Sequence, residues 1–292
     1  MNKKIKVQAP AKINLSLEIT DKFPNGYHKI STIMQTVSLF DYLTIELSKS
    51  PADNQVILSG NSAKIPYDEK NIVYKVLLAY LKKANETENR IEVYIEKNIP
   101  AEAGLAGGST DGAAALLGIN YLFNNKLSDK ELHEIAAQTG SDLNFCMVGG
   151  TCLLSSRGEI IEEKLPFREL NIVIVKPKNI AVSTPQCYKN FSEKYFRKKE
   201  AFYSKKISNA LKTNALINEF LYNDLEKPAI DMFPEISKIK QALIDIGCKG
   251  VLMSGSGSSV FGIYDDELLH LKNDDWEVFY TKTIPNGVKI CI

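Results

Sequence analysis

Small residues crowd into Gly104-Leu105-Ala106-Gly107-Gly108-Ser109-Thr110, directly ahead of an Ala/Leu-rich run that reads as a helix. Glycines let backbone amides approach an anion closely, and a helix start adds free N–H groups and the positive end of its dipole. Ser109 and Thr110 supply hydroxyl donors at the same end. The chemistry such a loop suits is the holding of phosphate. No lysine follows the glycines, as a Walker A loop requires, and the G-x-G-x-x-G spacing of a dinucleotide fingerprint is missing. A tight strand-to-helix turn is the alternative use of the same residues.

Three other places carry reactive or permissive residue types. Lys12 and Asn14 share the polar face of an otherwise apolar strand, which by itself marks only a solvated lysine. Gly140-Ser141-Asp142-Leu143-Asn144-Phe145 sets an aspartate between a helix end and apolar residues, by itself an ordinary turn. Ser254-Gly255-Ser256-Gly257-Ser258-Ser259 is a second small-residue loop, open enough for its backbone to approach a ligand.

The elements that position these groups follow from hydrophobic periodicity. Ile13, Leu15, Leu17 and Ile19 alternate with Asn14, Ser16, Glu18 and Thr20, which predicts a half-buried strand. Phe23-Pro24-Asn25-Gly26 is a turn. Strands are expected at 43–47, 56–58 and 91–95. A helix over 71–83 carries Val73, Val76, Leu77, Tyr80 and Leu81 on one face behind an Asn71 cap. Ser128 and Glu131 form a capping box for a second helix. Strands at 151–155 and 172–175 follow, then a lysine-rich helical stretch from about Pro185 to Phe220. Pro234 opens a helix that ends at Gly247. The order is mixed α and β in both halves, an α+β protein of two domains, 1–160 and 161–292.

Composition narrows the class further. The 292 residues hold 36 Lys and Arg against 35 Asp and Glu, a net charge of +1, with 44% hydrophobic residues. That is globular material, neither disordered nor repetitive, and the balanced charge disfavours nucleic-acid or membrane partners. The basic, aromatic stretch from Lys194 to Lys206 reads as a surface helix near an anionic ligand. No apolar run suits a signal peptide or a membrane span. Five cysteines without a C-x-x-C pair, beside three histidines, disfavour zinc and disulfides and suit a reduced, cytoplasmic setting. His133 and His270 are expected to be solvated, and Cys146 to be a small core residue.

Taken in order, Lys12, the run from Pro100 to Asp111, Gly140-Ser141-Asp142 and the Ser254–Ser259 loop resemble the GHMP kinase superfamily across almost the whole chain. Ala9-Pro10-Ala11-Lys12-Ile13-Asn14-Leu15 and Pro24-Asn25-Gly26-Tyr27-His28 resemble the branch acting on a cytidine-diphosphate-linked methylerythritol, in the non-mevalonate route to isoprenoid precursors. Two positions depart from the family pattern. Asn144 replaces a proline after the aspartate, which could loosen that loop. Ala106 replaces a glycine, tolerable if its φ is negative.

The resemblance implies an N-terminal ATP-binding domain of ribosomal protein S5 domain 2-like type and a ferredoxin-like C-terminal domain. It implies ATP-dependent phosphorylation of a hydroxyl with Mg²⁺, in a monomer or weak homodimer. Asp142 would accept the hydroxyl proton, and Lys12 would stabilise charge on the γ-phosphoryl oxygens. Pro100, Ala101, Glu102, Ala103, Gly104, Leu105, Ala106, Gly107, Gly108, Ser109 and Thr110 would hold ATP. Asn14, Tyr27, His28, Thr184, Tyr188, Gly255 and Ser256 would bind the second substrate, with Tyr27 and Tyr188 stacking on cytosine. No metal ligands are identified. Related kinases of mevalonate, homoserine or sugars, and a non-catalytic binding protein on the same fold, remain open alternatives.

Overall fold

The computed structural model describes residues 3–265 and 271–291. The first half runs β1 (Lys3–Lys22), β2 (His28–Lys49), β3 (Gln55–Gly60), α1 (Ile72–Lys83), β4 (Asn89–Glu96), α2 (Gly107–Leu122), α3 (Asp129–Thr139), α4 (Leu143–Val148), β5 (Thr151–Ser155) and β6 (Ile160–Leu165). The second half runs β7 (Asn171–Pro177), α5 (Thr184–Lys194), α6 (Tyr203–Lys212), β8 (Tyr222–Asn223), α7 (Glu226–Met232), α8 (Glu235–Asp245), β9 (Gly250–Met253), β10 (Val260–Tyr264), β11 (Trp276–Lys282) and β12 (Lys289–Cys291).

These strands build two sheets. The larger has the path β12-β1-β2-β4-β3, with β5 and β6 continuing from β2 and β8 pairing β1 in parallel. The smaller is β11-β7-β10-β9, antiparallel throughout. The core of the larger sheet packs against α1, α2 and α3 through Val76, Leu77, Leu116, Ile119 and Ile135. The smaller sheet packs on α8 through Val173, Ile236, Ile239 and Leu243. Strands β8 and β12 of the second half join the first sheet, and β6 still pairs with β5 up to Leu165. No helix among the described residues is long and apolar enough to cross a membrane.

Local signals formed where expected. Asn71 caps α1 through Val73 N, Ser128 and Glu131 complete the capping box on α3, and Gly247 follows α8 with φ +101°. The β1–β2 turn closes through Phe23 N to Tyr27 O at 2.7 Å, with Gly26 at φ +87°. Register shifts at Pro10/Ala11 and Asn14/Ser16 bend the hairpin on either side of Lys12 and Asn14.

Three expectations need correction. The strand through residues 13–20 is not half-buried: Asn14, Ser16 and Glu18 are as buried as Ile13 and Leu15. The second half of the chain covers the polar face of β1. Ser16 Oγ donates to Ser204 Oγ at 3.1 Å, and Glu18 accepts the amides of Phe202 and Ser204, closing the open start of α6. The stretch 185–220 is not one helix. It breaks between α5 and α6 at residues 195–202, so the basic, aromatic segment 194–206 is mainly a connecting loop. His133 is not simply solvated, since its Nδ1 lies 2.9 Å from Asn144 Oδ1. His270 lies outside the described residues.

Candidate active site

The hairpin β1–β2, the glycine loop before α2, the start of α4, α5 and the 254–259 loop converge on a cavity of about 750 Å³. Lys12, Asn14, Tyr27, His28, Gly104, Ala106, Asp142, Thr184, Tyr188, Gly255 and Ser256 all line it. Lys12, expected from its strand pattern alone to be solvated, is 4% exposed at the bottom. Its ammonium donates to Asn14 Oδ1 at 2.7 Å and lies 3.6 Å from Asp142 Oδ2. Asn14 in turn donates to Thr32 Oγ1 at 2.9 Å, so β1 and β2 together aim the lysine. A buried ammonium needs such partners.

The two small-residue loops lock against each other beside that lysine. Lys12 N donates to Leu105 O, Ser254 Oγ donates to Gly104 O at 2.9 Å, and Ser259 N donates to Ala103 O. A Cβ on Gly104, whose φ is +73°, would meet Ser254 O at 2.0 Å. One on Gly255 would lie 3.3 Å from Lys12 Nζ. Glycine is therefore a packing requirement at Gly104, and at Gly255 the φ of +55° favours it. Thr184 Oγ1 and Ser256 Oγ are 2.7 Å apart and close the α5 side.

The rest of the glycine-loop set divides by burial. Ala103 and Leu105 turn their side chains into the core, and Glu102 is exposed at φ +50°. Gly107 and Gly108 begin α2, where first-turn amides have no acceptor within the helix. The space beside Gly108 is open, with only Ile72 Cδ1 at 4.0 Å. Ser109 is half-buried, whereas the hydroxyl of Thr110 is fully buried. Ala106 contradicts the condition set for it. It is the N-cap of α2 at φ +57°, a left-handed conformation that strains any residue with a Cβ. The loop's bonds to the 254–259 segment hold the backbone in place regardless.

Beneath the loop, Lys97 is sandwiched between Asp41 and Asp111, all three nearly inaccessible. Asp41 Oδ1 accepts the amides of Asn98 and Ile99 at 2.6 and 2.8 Å, and Lys97 donates to Asp111 Oδ2 at 2.7 Å. Burial pushes the Asp111 carboxyl well above the usual carboxylate range, against the pull of Lys97. Burial works to lower Lys97, but the two carboxylates outweigh it and raise the ammonium. No local pattern announces this cluster.

At the cavity mouth Tyr27 is 58% exposed. His28 Nε2 lies 2.5 Å from Ser192 Oγ, and its ring sits 5.0 Å from that of Tyr188. Burial, then the charge of Lys22, lowers the His28 pKa, which favours the neutral imidazole. Burial and the Asp142 charge raise the Tyr188 phenol, which stays protonated.

Arg157 escaped sequence reasoning. It lines the cavity, and its guanidinium carbon lies 5.5 Å from the Tyr27 ring centroid. It sits on the turn between β5 and β6, held by Glu159, which accepts the Arg157 amide at 2.8 Å. The nearest sequence signal is Arg157-Gly158 itself, indistinguishable from any turn.

Asn144 also behaves unlike the expectation of a loosened loop. Its side chain meets His133 of α3 and donates to Glu159 O at 3.1 Å, tying α4, α3 and the Arg157 turn together behind Asp142. Asn144→Ala is expected to cost roughly 1–3 kcal/mol, because these contacts are partly buried. Urea unfolding measures it. A loss below about 0.5 kcal/mol would show that water replaces both contacts.

Residues 71–150 match the GHMP kinases N terminal domain and residues 201–269 the GHMP kinases C terminal family. The chain is 39% identical to a 4-diphosphocytidyl-2-C-methyl-D-erythritol kinase of Thermoanaerobacter pseudethanolicus, over 99% of both chains. It is 40% identical to the enzyme of that name from Syntrophomonas wolfei, over 93% of each. A crystal structure of 4-(cytidine 5'-diphospho)-2C-methyl-D-erythritol kinase superposes with a TM-score of 0.76 at 28% identity, covering 98% of this chain and all of the other. Homoserine kinase from Cytophaga hutchinsonii reaches the same TM-score at 21% identity, a likeness of fold. This chain belongs to the GHMP kinases, and within them to the 4-diphosphocytidyl-2-C-methyl-D-erythritol kinase family.

Proposed function

We propose that this protein transfers the γ-phosphoryl group of ATP to a hydroxyl of 4-diphosphocytidyl-2-C-methyl-D-erythritol, giving the 2-phosphate. The observation that carries it is the Lys12–Asp142 pair, 3.6 Å apart, in a cavity whose mouth bears Tyr27, His28 and Tyr188. In this reading Asp142 accepts the proton as the hydroxyl oxygen bonds to phosphorus and ADP leaves. Lys12 balances charge on the transferring group, and positioning carries most of the rate.

The start of α2 suits a nucleotide's phosphates. Its first-turn amides lack helical acceptors, and no side chain crowds Gly108. Among the described residues no three His, Cys, Asp or Glu are grouped to hold a metal. Mg²⁺ would be carried on the nucleotide's phosphates, which supply the hard oxygens it prefers. When bound there it neutralises phosphate charge. On this reading residues 1–160 would supply the nucleotide loop together with Tyr27, His28 and Arg157, and residues 161–292 would add Thr184, Tyr188 and the 254–259 loop.

Tyr27 and Tyr188 offer ring faces to cytosine, His28 a hydrogen-bonding edge, and Arg157 a cation for the diphosphate. Stacking on a base is worth about 1–3 kcal/mol per ring. Calorimetric titration of CDP tests the arrangement. Tyr27→Ala, Tyr188→Ala and His28→Ala should each weaken CDP about tenfold or more while ATP affinity stays constant. Tyr→Phe at either ring should be mild. Equal CDP affinity in all variants would remove the cytidine reading. A coupled ADP-release assay against mevalonate, homoserine and galactose then decides the acceptor.

A further inference from the structure

A second cavity, of about 580 Å³, lies where α5, α7, α8, β8 and β9 meet. It is separate from the first but shares a wall with it. Helix α5 supplies Tyr188 to one and Phe191 to the other. Asn223, which lines the second cavity, donates to Met253 O and Gly255 O at 2.8 and 2.7 Å and so braces the loop lining the first.

Its charges are unequal. Arg197, Lys199, Lys227 and Lys240 face two carboxylates, Asp224 and Glu226, four positive against two negative. Both carboxylates are already engaged. Asp224 accepts from Ile19 N at 2.6 Å, from Tyr222 Oη at 2.7 Å and from Lys199, and Glu226 is ion-paired with Lys240. Two cations, both exposed, stand outside these ion pairs, and the Lys227 charge also reaches the Asp231 carboxyl and lowers its pKa. Arg197 donates to the carbonyl of its neighbour Phe196 at 2.6 Å, and Lys227 Nζ stands 4.8 Å from the Tyr195 ring centroid. Neither has a carboxylate within ion-pair distance among the described residues. The floor is apolar, built from Phe191, Leu221, Ile230 and Leu252.

We propose that this cavity is a binding site for a small diphosphate monoester bearing a short hydrocarbon chain. The diphosphate lies against Arg197 and Lys227, both exposed and outside the ion pairs that hold Lys199 and Lys240, and the chain lies on the apolar floor. A guanidinium binds phosphate oxygens in a paired geometry, and hydrogen bonds between charged groups are the strong ones. A phosphate alone would leave the floor wet, and a neutral hydrocarbon would leave the two cations unpaired. The volume falls in the ordinary range of small-molecule sites, about 300–1,000 Å³.

The probes are inorganic pyrophosphate and isopentyl diphosphate, titrated calorimetrically into the full chain with CDP and ADP saturating the first cavity. Isopentyl diphosphate should bind one-to-one and about tenfold or more tighter than pyrophosphate, since each buried methylene favours the bound state. The Arg197→Ala/Lys227→Ala double variant should bind it about tenfold or more weakly, with Tm and steady-state kcat and KM unchanged. Three results would overturn the proposal. One is loss of binding when CDP and ADP are present, which would place the probe in the first cavity. The others are equal affinity for the two probes, or full affinity in the double variant.

Discussion

Replacing Asp142 with asparagine is expected to lower kcat by about 10²–10⁴-fold, the usual worth of a positioned general base. The amide keeps the size and shape of the carboxylate but cannot take a proton. Asp142 makes no helix-capping bond at the start of α4, and its neighbours Leu143 and Asn144 hold that helix in place. Stability and CDP affinity should therefore stay near those of the unmodified chain. The Lys12 ammonium keeps Asn14 Oδ1 as a partner at 2.7 Å, so removing the negative charge does not strand it. Single-turnover kinetics with ATP in excess isolate the chemical step from product release. A fall of less than about tenfold would mean that Asp142 orients the hydroxyl without accepting its proton.

Lys97→Met carries the largest expected cost in stability. It would strip the cation from between Asp41 and Asp111, leaving two buried carboxylates facing each other. Breaking a buried pair in this way typically costs about 3–5 kcal/mol. The pH dependence has a definite sign. A carboxyl whose folded pKa is raised binds its proton more tightly when folded, so stability falls as pH climbs past its unfolded value. Asp111 is already raised by burial with Lys97 present, and removing the lysine raises it further. The deficit of the variant should be largest near pH 8 and shrink toward pH 5. Urea unfolding at both values measures the difference, and an equal deficit at both would show that water reaches the cluster. Because a Cβ at Gly107 would sit 3.1 Å from Lys97 Nζ, the variant should also raise KM for ATP by loosening the loop above it.

Legibility in the sequence followed the range of the interaction. The Asn71 and Ser128 caps, the Gly26 turn and the end of α8 at Gly247 were readable because each is decided by residues two to four positions away. The glycine loop and its following helix were readable for the same reason. Glu18 was not: its partners, the amides of Phe202 and Ser204, come from the far half of the chain, and alternation alone made it a solvent-facing residue. Alternation reports which residues share a face and says nothing of what covers that face. The break at residues 195–202 was equally hidden, because its lysines and aromatics are compatible with a helix in composition.

By itself, the sequence determined the elements with clear periodicity or caps, such as α1, α3, α8 and β4, the glycine loop ahead of α2 and the family to which the motifs belong, all of them properties of short runs of residues in order. Only the tertiary structure decided that Lys12 is buried and stands 3.6 Å from Asp142. It also decided that Ala106 is held left-handed, that Asn144 ties down the loop it was expected to loosen, and that Arg157 reaches the cavity. Each of these depends on where a second segment, distant in the chain, packs against the first. That placement is set by the burial of whole faces and by the pairing of the polar groups trapped between them, and no local pattern encodes it.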